Sequence, residues 1–324
     1  VQAAGFLLGV GLLAWCMRTA LSDANRAQLA RLRDANPADV ALLILLSLVS
    51  LLLNAGAFWT MLRGVRRIRW SSVLAVNCVA TALAYLPFKL SLVFRAAVHH
   101  RRDAVPILTI GTWMGNVGVV MLAVIGPAIL ATTLRPAVDA RWWAIAAGGA
   151  LAAGGAIVLV ARALGRPGVW TWFDRRVNGP SPSGREPRWR RLARRTHVVA
   201  RAREGVLMLS RPASVGAGIA CRAADIAAQS CRFLLAAGIV GTELSTGQAV
   251  AAAATYFVIG ALAPTGSLGF REAGVFALLR SPSFAVVVLT VTAVEMVVQV
   301  ACAIPAAFSL RRSADRTRTS ADHA

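Results

Sequence analysis

Lysine is almost absent from this sequence: of 35 basic residues only Lys89 is a lysine, and acids number 14, which leaves a formal charge of +21. The five cysteines, Cys16, Cys78, Cys221, Cys231 and Cys302, form no CxxC pair and all fall in apolar segments. They are expected as small core residues rather than redox or metal-binding thiols. The four histidines, His99, His100, His197 and His323, are expected in basic loops or the tail, so a metal site has little support, and no cofactor is implied. There is no GxSxG, no phosphate-binding P-loop and no paired carboxylate in a soluble segment, which removes the motif-borne hydrolase and nucleotide-hydrolysing chemistries. The first apolar run starts at Val1 without a charged stretch before it and without a cleavage signal after it, so it is not read as a signal peptide.

What the sequence has instead is grease. It is 57% hydrophobic with a mean hydropathy of +0.63 over 324 residues. Apolar runs cover 1–17, 40–62, 73–98, 105–130, 142–161, 213–240, 249–279 and 284–310. Runs of about 20 residues suit membrane-crossing helices, and segments of about 10 residues with alternating polarity, the mark of a membrane barrel, are missing. The expected fold class is therefore all-α, a polytopic membrane helix bundle in a single domain over 1–324. The positive charge is concentrated in short connections beside the apolar runs, which points to cytoplasmic loops rather than to nucleic acid as a partner.

Two runs are broken. The run 73–98 contains Pro87, Lys89 and Arg95, and the run 249–279 contains Pro264-Thr265-Gly266-Ser267-Leu268-Gly269-Phe270-Arg271-Glu272. Loop charge decides what they do. The stretch Arg63, Arg66, Arg67, Arg69 and the connection 162–204, with twelve Arg against three acids, should both be cytoplasmic. A single crossing by 73–98 would put the second of them outside. Twenty-six helical residues reach about 39 Å, too short to cross a core of roughly 30 Å twice, so the run should re-enter from the cytoplasmic side. The same reasoning over 249–279, which keeps Arg311, Arg312, Arg316 and Arg318 of the tail 311–324 inside, requires re-entry from the outer side. The expectation is six full spans and two re-entrant broken helices, with both termini cytoplasmic; the basic outer loop 18–39 fits this scheme least well.

The broken runs echo each other. Each has a proline and, seven or eight residues on, an arginine preceded by phenylalanine, and the prolines stand 177 residues apart. Either this is chance in a composition rich in Arg and Pro, or it is an inverted repeat whose broken helices mark a transport site near the midplane. The topology favours the repeat.

Several residues are candidates for substrate contact. Lys89, just past Pro87, either meets a phosphate as a compact charge with three donors or snorkels to interfacial lipid. Gly266 and Gly269 permit close backbone approach, and Thr265 and Ser267 add hydroxyls; the alternative is a tight turn closing a hairpin. Arg271 and Glu272 are adjacent, cannot share one helical face and should find different partners. Arg222, Asp225, Gln229 and Arg232, spaced by three, four and three residues, form one polar stripe on the span 213–240. Glu295 and Gln299 could face it and pair with one of its arginines. The stripe serves either interhelical hydrogen bonding or substrate contact. The segment 185–203, with Trp189 and eight arginines, reads as an interfacial helix or a solvated topological determinant.

The stretch Pro264 to Glu272 resembles the late Pro-x-Gly-Gly-Leu-Gly-x-Arg-Glu signature of the lysylphosphatidylglycerol synthase transmembrane, or flippase-like, family of bacterial integral membrane proteins. Pro264, Gly266, Leu268, Gly269, Arg271 and Glu272 match, and Ser267 replaces a glycine. The family's earlier Leu-Pro-Gly-x-x-Gly motif followed by arginine is echoed by Leu86, Pro87 and Arg95, with Phe88 and Ser91 in the glycine places.

The resemblance implies a lipid translocase in the bacterial inner membrane, moving an anionic or modified phospholipid or a polyprenyl-linked lipid. Lys89, Arg95 and Arg271 would meet phosphate, and a lipid-modifying enzyme could be its partner. No soluble aminoacyl-transfer domain follows Arg318, so aminoacylation is not expected and transport is expected rather than catalysis. Two alternatives stay open: a membrane enzyme or enzyme subunit acting on lipid-linked sugars with Glu272, Asp225 or Glu295 as base, and a scaffold for partner enzymes.

Overall fold

Every long apolar run of the sequence is helical in the computed structural model, which describes residues 2–63, 66–86, 89–135, 137–178, 197–263 and 267–321. Among these residues six helices are long and apolar enough to cross a membrane. They are α1 (Gln2–Ala20), α3 (Pro37–Arg63), α6 (Ile107–Leu134), α7 (Ala140–Leu164), α10 (Pro212–Val240) and α13 (Ser283–Ala321). A 3-10 turn at Asp23–Asn25 and the short helix α2 (Arg26–Arg33) fill the connection between the first two. The basic connection 162–204 is not a plain loop: α8 (Pro167–Asn178) lies within it, and α9 (Val198–Leu209) begins there and packs against α6 and α7. The interfacial reading of 185–203 falls largely on 185–196, outside the described residues. The tail continues α13 to Ala321.

The two broken runs are helix pairs. The first is α4 (Trp70–Leu83) and α5 (Leu90–Arg101); the second is α11 (Thr246–Leu262) and α12 (Phe270–Leu279). The partners within each pair pack on one another. Local chemistry places the breaks. Ala263 precedes Pro264 and has ψ 119°, as expected where a following proline ring disfavours the α region. Before Pro87 the chain leaves α4 through a turn at Ala84 and Tyr85, and it enters α5 through Lys89, whose φ of 51° is left-handed. A side chain held there is strained by about 1–2 kcal/mol. At the other end of the second pair a capping box of Ser245 and Gln248 starts α11. Pro87, Phe88, Pro264, Thr265 and Gly266 lie outside the described residues.

The packing has a two-fold pattern. α3 packs on α4, α6 and α13, and α10 packs correspondingly on α11, α13 and α6. α4 lies on α13 as α11 lies on α6, and α5 meets α6 as α12 meets α13. The counterparts α3 and α10 lie side by side and run antiparallel, since Ser50 bonds Asp225 while Asn54, further along α3, bonds Arg222, earlier on α10. This is an inverted repeat of four helices, with α1 packed outside it on α12 and α13 and α7 outside it on α6. In such an arrangement the pairs α4/α5 and α11/α12 enter from opposite ends of the bundle. Their breaks meet inside it: the amide and hydroxyl of Ser267 both donate to the Ala84 carbonyl at 3.1 and 3.2 Å, and Lys89 Nζ donates to the Ala261 carbonyl at 3.1 Å.

Small side chains let the helices approach. Ala249, Ala252, Ala253 and Ala254 of α11 are fully buried in a cluster with Val286, Val287 and Val291 of α13 and Phe233 of α10. Lipid tails are as apolar as leucine, so close van der Waals packing of this kind, rather than hydrophobic exclusion, holds such a bundle together. Of the cysteines, Cys16 and Cys78 are buried, Cys221 and Cys302 are half-buried, and Cys231 is exposed, which corrects the expectation of a core thiol there. His99 is likewise no loop residue. It is buried in the last turn of α5, 2.6 Å from Asp103 and edge-on to Trp113.

Candidate functional site

Where the two breaks meet, the helices leave a cavity of about 460 Å³. Polar groups reach it from both repeats. α3 contributes Ser50 and Asn54, α5 contributes Arg95, α10 contributes Arg222, Asp225 and Arg232, and α13 contributes Glu295 and Gln299. Lys89, Ser267 and Arg271 come from the breaks and the first turn of α12. Five cationic side chains therefore face two carboxylates across its wall. A charged group placed in the centre of a bilayer costs about 2.5–3.5 kcal/mol on insertion scales, so their gathering needs compensation.

Part of that compensation is internal. Arg222 pairs with Asp225 at 2.9 Å, and Ser50 donates to the same carboxylate at 2.5 Å. Arg232 pairs with Glu295 at 3.0 Å and also donates to Gln229 and to the Val291 carbonyl. Glu295 is the hub of this group, with Arg271 at 3.4 Å, Gln299 donating at 2.8 Å and Tyr85 at 3.4 Å. The Arg271 guanidinium also lies over the Tyr256 ring at 4.2 Å and the Tyr85 ring at 5.2 Å, a cation–π cradle inside the bundle. Gly260 makes room for it, because a Cβ at that position would sit 2.9 Å from Arg271 Cδ.

Arg95 is treated differently. It is buried, donates through Nη2 to Asn77 Oδ1 at 2.5 Å and lies 4.1 Å over the Phe58 ring. Among the described residues no carboxylate pairs with it, and its Nη1 has no hydrogen-bond partner. Asn54 donates to the same Asn77 oxygen at 3.0 Å and accepts from Arg222 at 2.7 Å. Two guanidiniums are thus joined through two amides, a relay that orients both without neutralising either. Lys89 likewise meets no carboxylate among the described residues and rests on a backbone carbonyl of the opposite hairpin.

Of the residues singled out in the sequence, Lys89, Arg95, Ser267, Arg271, Arg222, Asp225, Arg232 and Glu295 line the cavity together. Gln229 is buried behind it as the acceptor for Arg232. Gly269 does not contact the cavity. Its φ of 80° and its missing side chain serve the crossing of α1, whose Gly9 carbonyl occupies the space a Cβ would need. Glu272 also turns away from the wall, fully buried and accepting from Thr292 at 2.9 Å. Arg271 and Glu272 therefore reach different positions on α13, Glu295 and Thr292, as their places on α12 demand. Thr265 and Gly266 lie outside the described residues. Sequence reasoning passed over Asn54, Asn77, Tyr85 and Tyr256. The two asparagines and the only two tyrosines of the chain, all in apolar runs, were the available signal.

An all-helical bundle with six long apolar helices, an inverted repeat and a cation-rich cavity between its broken helices defines a multi-pass membrane protein. A family model described as lysylphosphatidylglycerol synthase TM region matches residues 2–306, and the chain belongs to that family. No curated protein and no solved structure matches it.

Proposed function

We propose that the protein is a lipid translocase of a bacterial inner membrane, which admits a phosphate-bearing head group to the cavity between its hairpins while the lipid tails remain in the bilayer. One observation carries this reading: five cations against two carboxylates at the point where the two breaks touch. A phosphate there gains charge-assisted hydrogen bonds from Arg95 Nη1, from Arg271 Nε and from Lys89, the first two being donors without partners. Both wall carboxylates are engaged by arginine, so neither stands free as a base. This favours binding and release over group transfer.

The hydrogen bonds that join Lys89 to Ala261 and Ser267 to Ala84 close the two hairpins on each other. Exchange of these few contacts for contacts to a head group would let one repeat rock against the other, the motion by which inverted repeats alternate access. The basic connections support a cytoplasmic placement of both termini. The test is transfer of fluorescent phosphatidate and fluorescent phosphatidylglycerol between leaflets of proteoliposomes, read on whichever of the two is moved. Lys89→Ala and Arg271→Ala should slow it by at least about tenfold, the worth of one charge-assisted contact, with the protein still folded. Equal rates in the variants and the wild type would overturn the assignment.

A further inference from the structure

The charges of the cavity do not cancel, and the remainder limits what can fill it. Arg222 is matched by Asp225, and Arg232 by Glu295. Lys89, Arg95 and Arg271 are left, against Glu272 behind the wall. The excess is two positive charges, held in a bundle where an uncompensated charge is costly. Arg95 sharpens the point, because it is buried, reaches Arg222 through Asn77 and Asn54, and keeps one nitrogen without a partner.

From this balance we infer that the site takes a dianionic phosphate head group, a phosphomonoester or a diphosphate carrying one substituent, and excludes head groups that carry an ammonium. A phosphodiester such as phosphatidylglycerol brings one negative charge and leaves one cation unmatched. A phosphomonoester brings about −1.5 to −2 near neutral pH, and a substituted diphosphate brings two negative charges on adjacent phosphates. An aminoacylated head group adds ammonium groups, which need acceptors. Asp225 already accepts from Ser50 and Arg222, and Glu295 from Arg232, Arg271, Gln299 and Tyr85. Nothing anionic in the described wall is left for an amine.

This inference rests on the translocase reading for its use, but binding can be measured apart from transport. The full chain in phosphatidylcholine nanodiscs is titrated at pH 8 with dioleoyl phosphatidate, dioleoyl phosphatidylglycerol, dioleoyl lysylphosphatidylglycerol and a polyprenyl phosphate, with bound lipid counted by native mass spectrometry. Phosphatidate and polyprenyl phosphate should each bind at least about tenfold tighter than phosphatidylglycerol, because the second charge is met in a low-dielectric site, and lysylphosphatidylglycerol should bind most weakly. The tighter of the two monoesters identifies whether glycerolipid or prenyl chains are preferred. Arg95→Gln should bring the ratio of monoester to diester affinity down toward one.

Equal affinity for phosphatidate and phosphatidylglycerol, tighter binding of the lysyl lipid, or no binding at all would overturn the inference. If the monoesters bind as expected but are not moved in proteoliposomes, the translocase reading fails and the inference stands. If phosphatidylglycerol binds as tightly as phosphatidate and is moved, the inference fails and the translocase reading stands.

Discussion

The two hairpins start from the same plan, a proline followed by an arginine in the second half-helix, yet they hold that arginine in opposite ways. Arg271 is caged: a carboxylate from α13 and two tyrosine rings surround it. Arg95 has an aromatic ring and an amide but no carboxylate among the described residues. A caged arginine contributes to the fold, and its charge is already partly spent. An arginine held only by neutral groups keeps its charge for something else. The inverted repeat has thus divided one motif into a half whose arginine is anchored by the fold and keeps only its Nε free, and a half whose arginine is held open. The same division separates Lys89 of the first hairpin, which meets a backbone carbonyl and no carboxylate among the described residues, from Glu272, buried behind the second.

The carboxylate of Glu295 is the most rigid point of the Arg271 cage. Glu295→Ala leaves Arg232 and Arg271 without their shared carboxylate, and loss of one partner from a buried ion pair costs about 3–5 kcal/mol. Unfolding in detergent should show a large drop in stability; an unchanged transition would mean the cage is not structural. Next comes Gly269→Ala. It places a side chain at φ 80° against the Gly9 carbonyl, and a residue forced into a sparsely populated conformation costs about 1–3 kcal/mol. The loss should appear in stability and in the packing of α1. A normal melting curve with lost lipid binding would instead return Gly269 to the site.

Arg95→Met should do the reverse of Glu295→Ala. Lipid transfer should fall about tenfold, equivalent to about 1.4 kcal/mol, while stability stays the same or rises because a buried unpaired charge has gone. A stability loss as large as that of Glu295→Ala would erase the distinction between the hairpins. The smallest effect is expected outside the comparison, at the start of α11. Removing the cap with Ser245→Ala should cost about 1 kcal/mol, read from the melting transition, with the lipid preference unmoved.

Much of this was legible beforehand because membrane folding leaves strong marks in one dimension. Eight apolar runs follow from transfer cost, the breaks in 73–98 and 249–279 follow from proline and charge in segments that must otherwise be apolar, and loop charge reduces the eight to six expected spans, matching the six described helices long and apolar enough to cross. The stripe Arg222, Asp225, Gln229 and Arg232 was visible because helical periodicity puts it on one face, and all four residues are buried. Other features had no such mark. Gly269 and Glu272 belong to the same conspicuous stretch as Arg271, but helical rotation and the crossing of α1 turn them out of the cavity. Within 162–204 the segment 185–203 was open to a helical reading, whereas α8 was not foreseen, because a stretch of arginine beside proline and glycine reads as loop whether or not the backbone is helical.

The amino-acid sequence alone sufficed for the apolar helices of a membrane protein and for the places where the chain must break, since each rests on transfer cost or backbone sterics acting locally. Which arginine is paired and which is left open was decided only by the tertiary structure. Asn54 and Asn77 come from different helices, Tyr85 and Tyr256 from opposite repeats, and Glu295 from the far end of the chain. A charge inside a bundle takes its meaning from the groups that surround it, and those are brought together only when the two repeats close on each other.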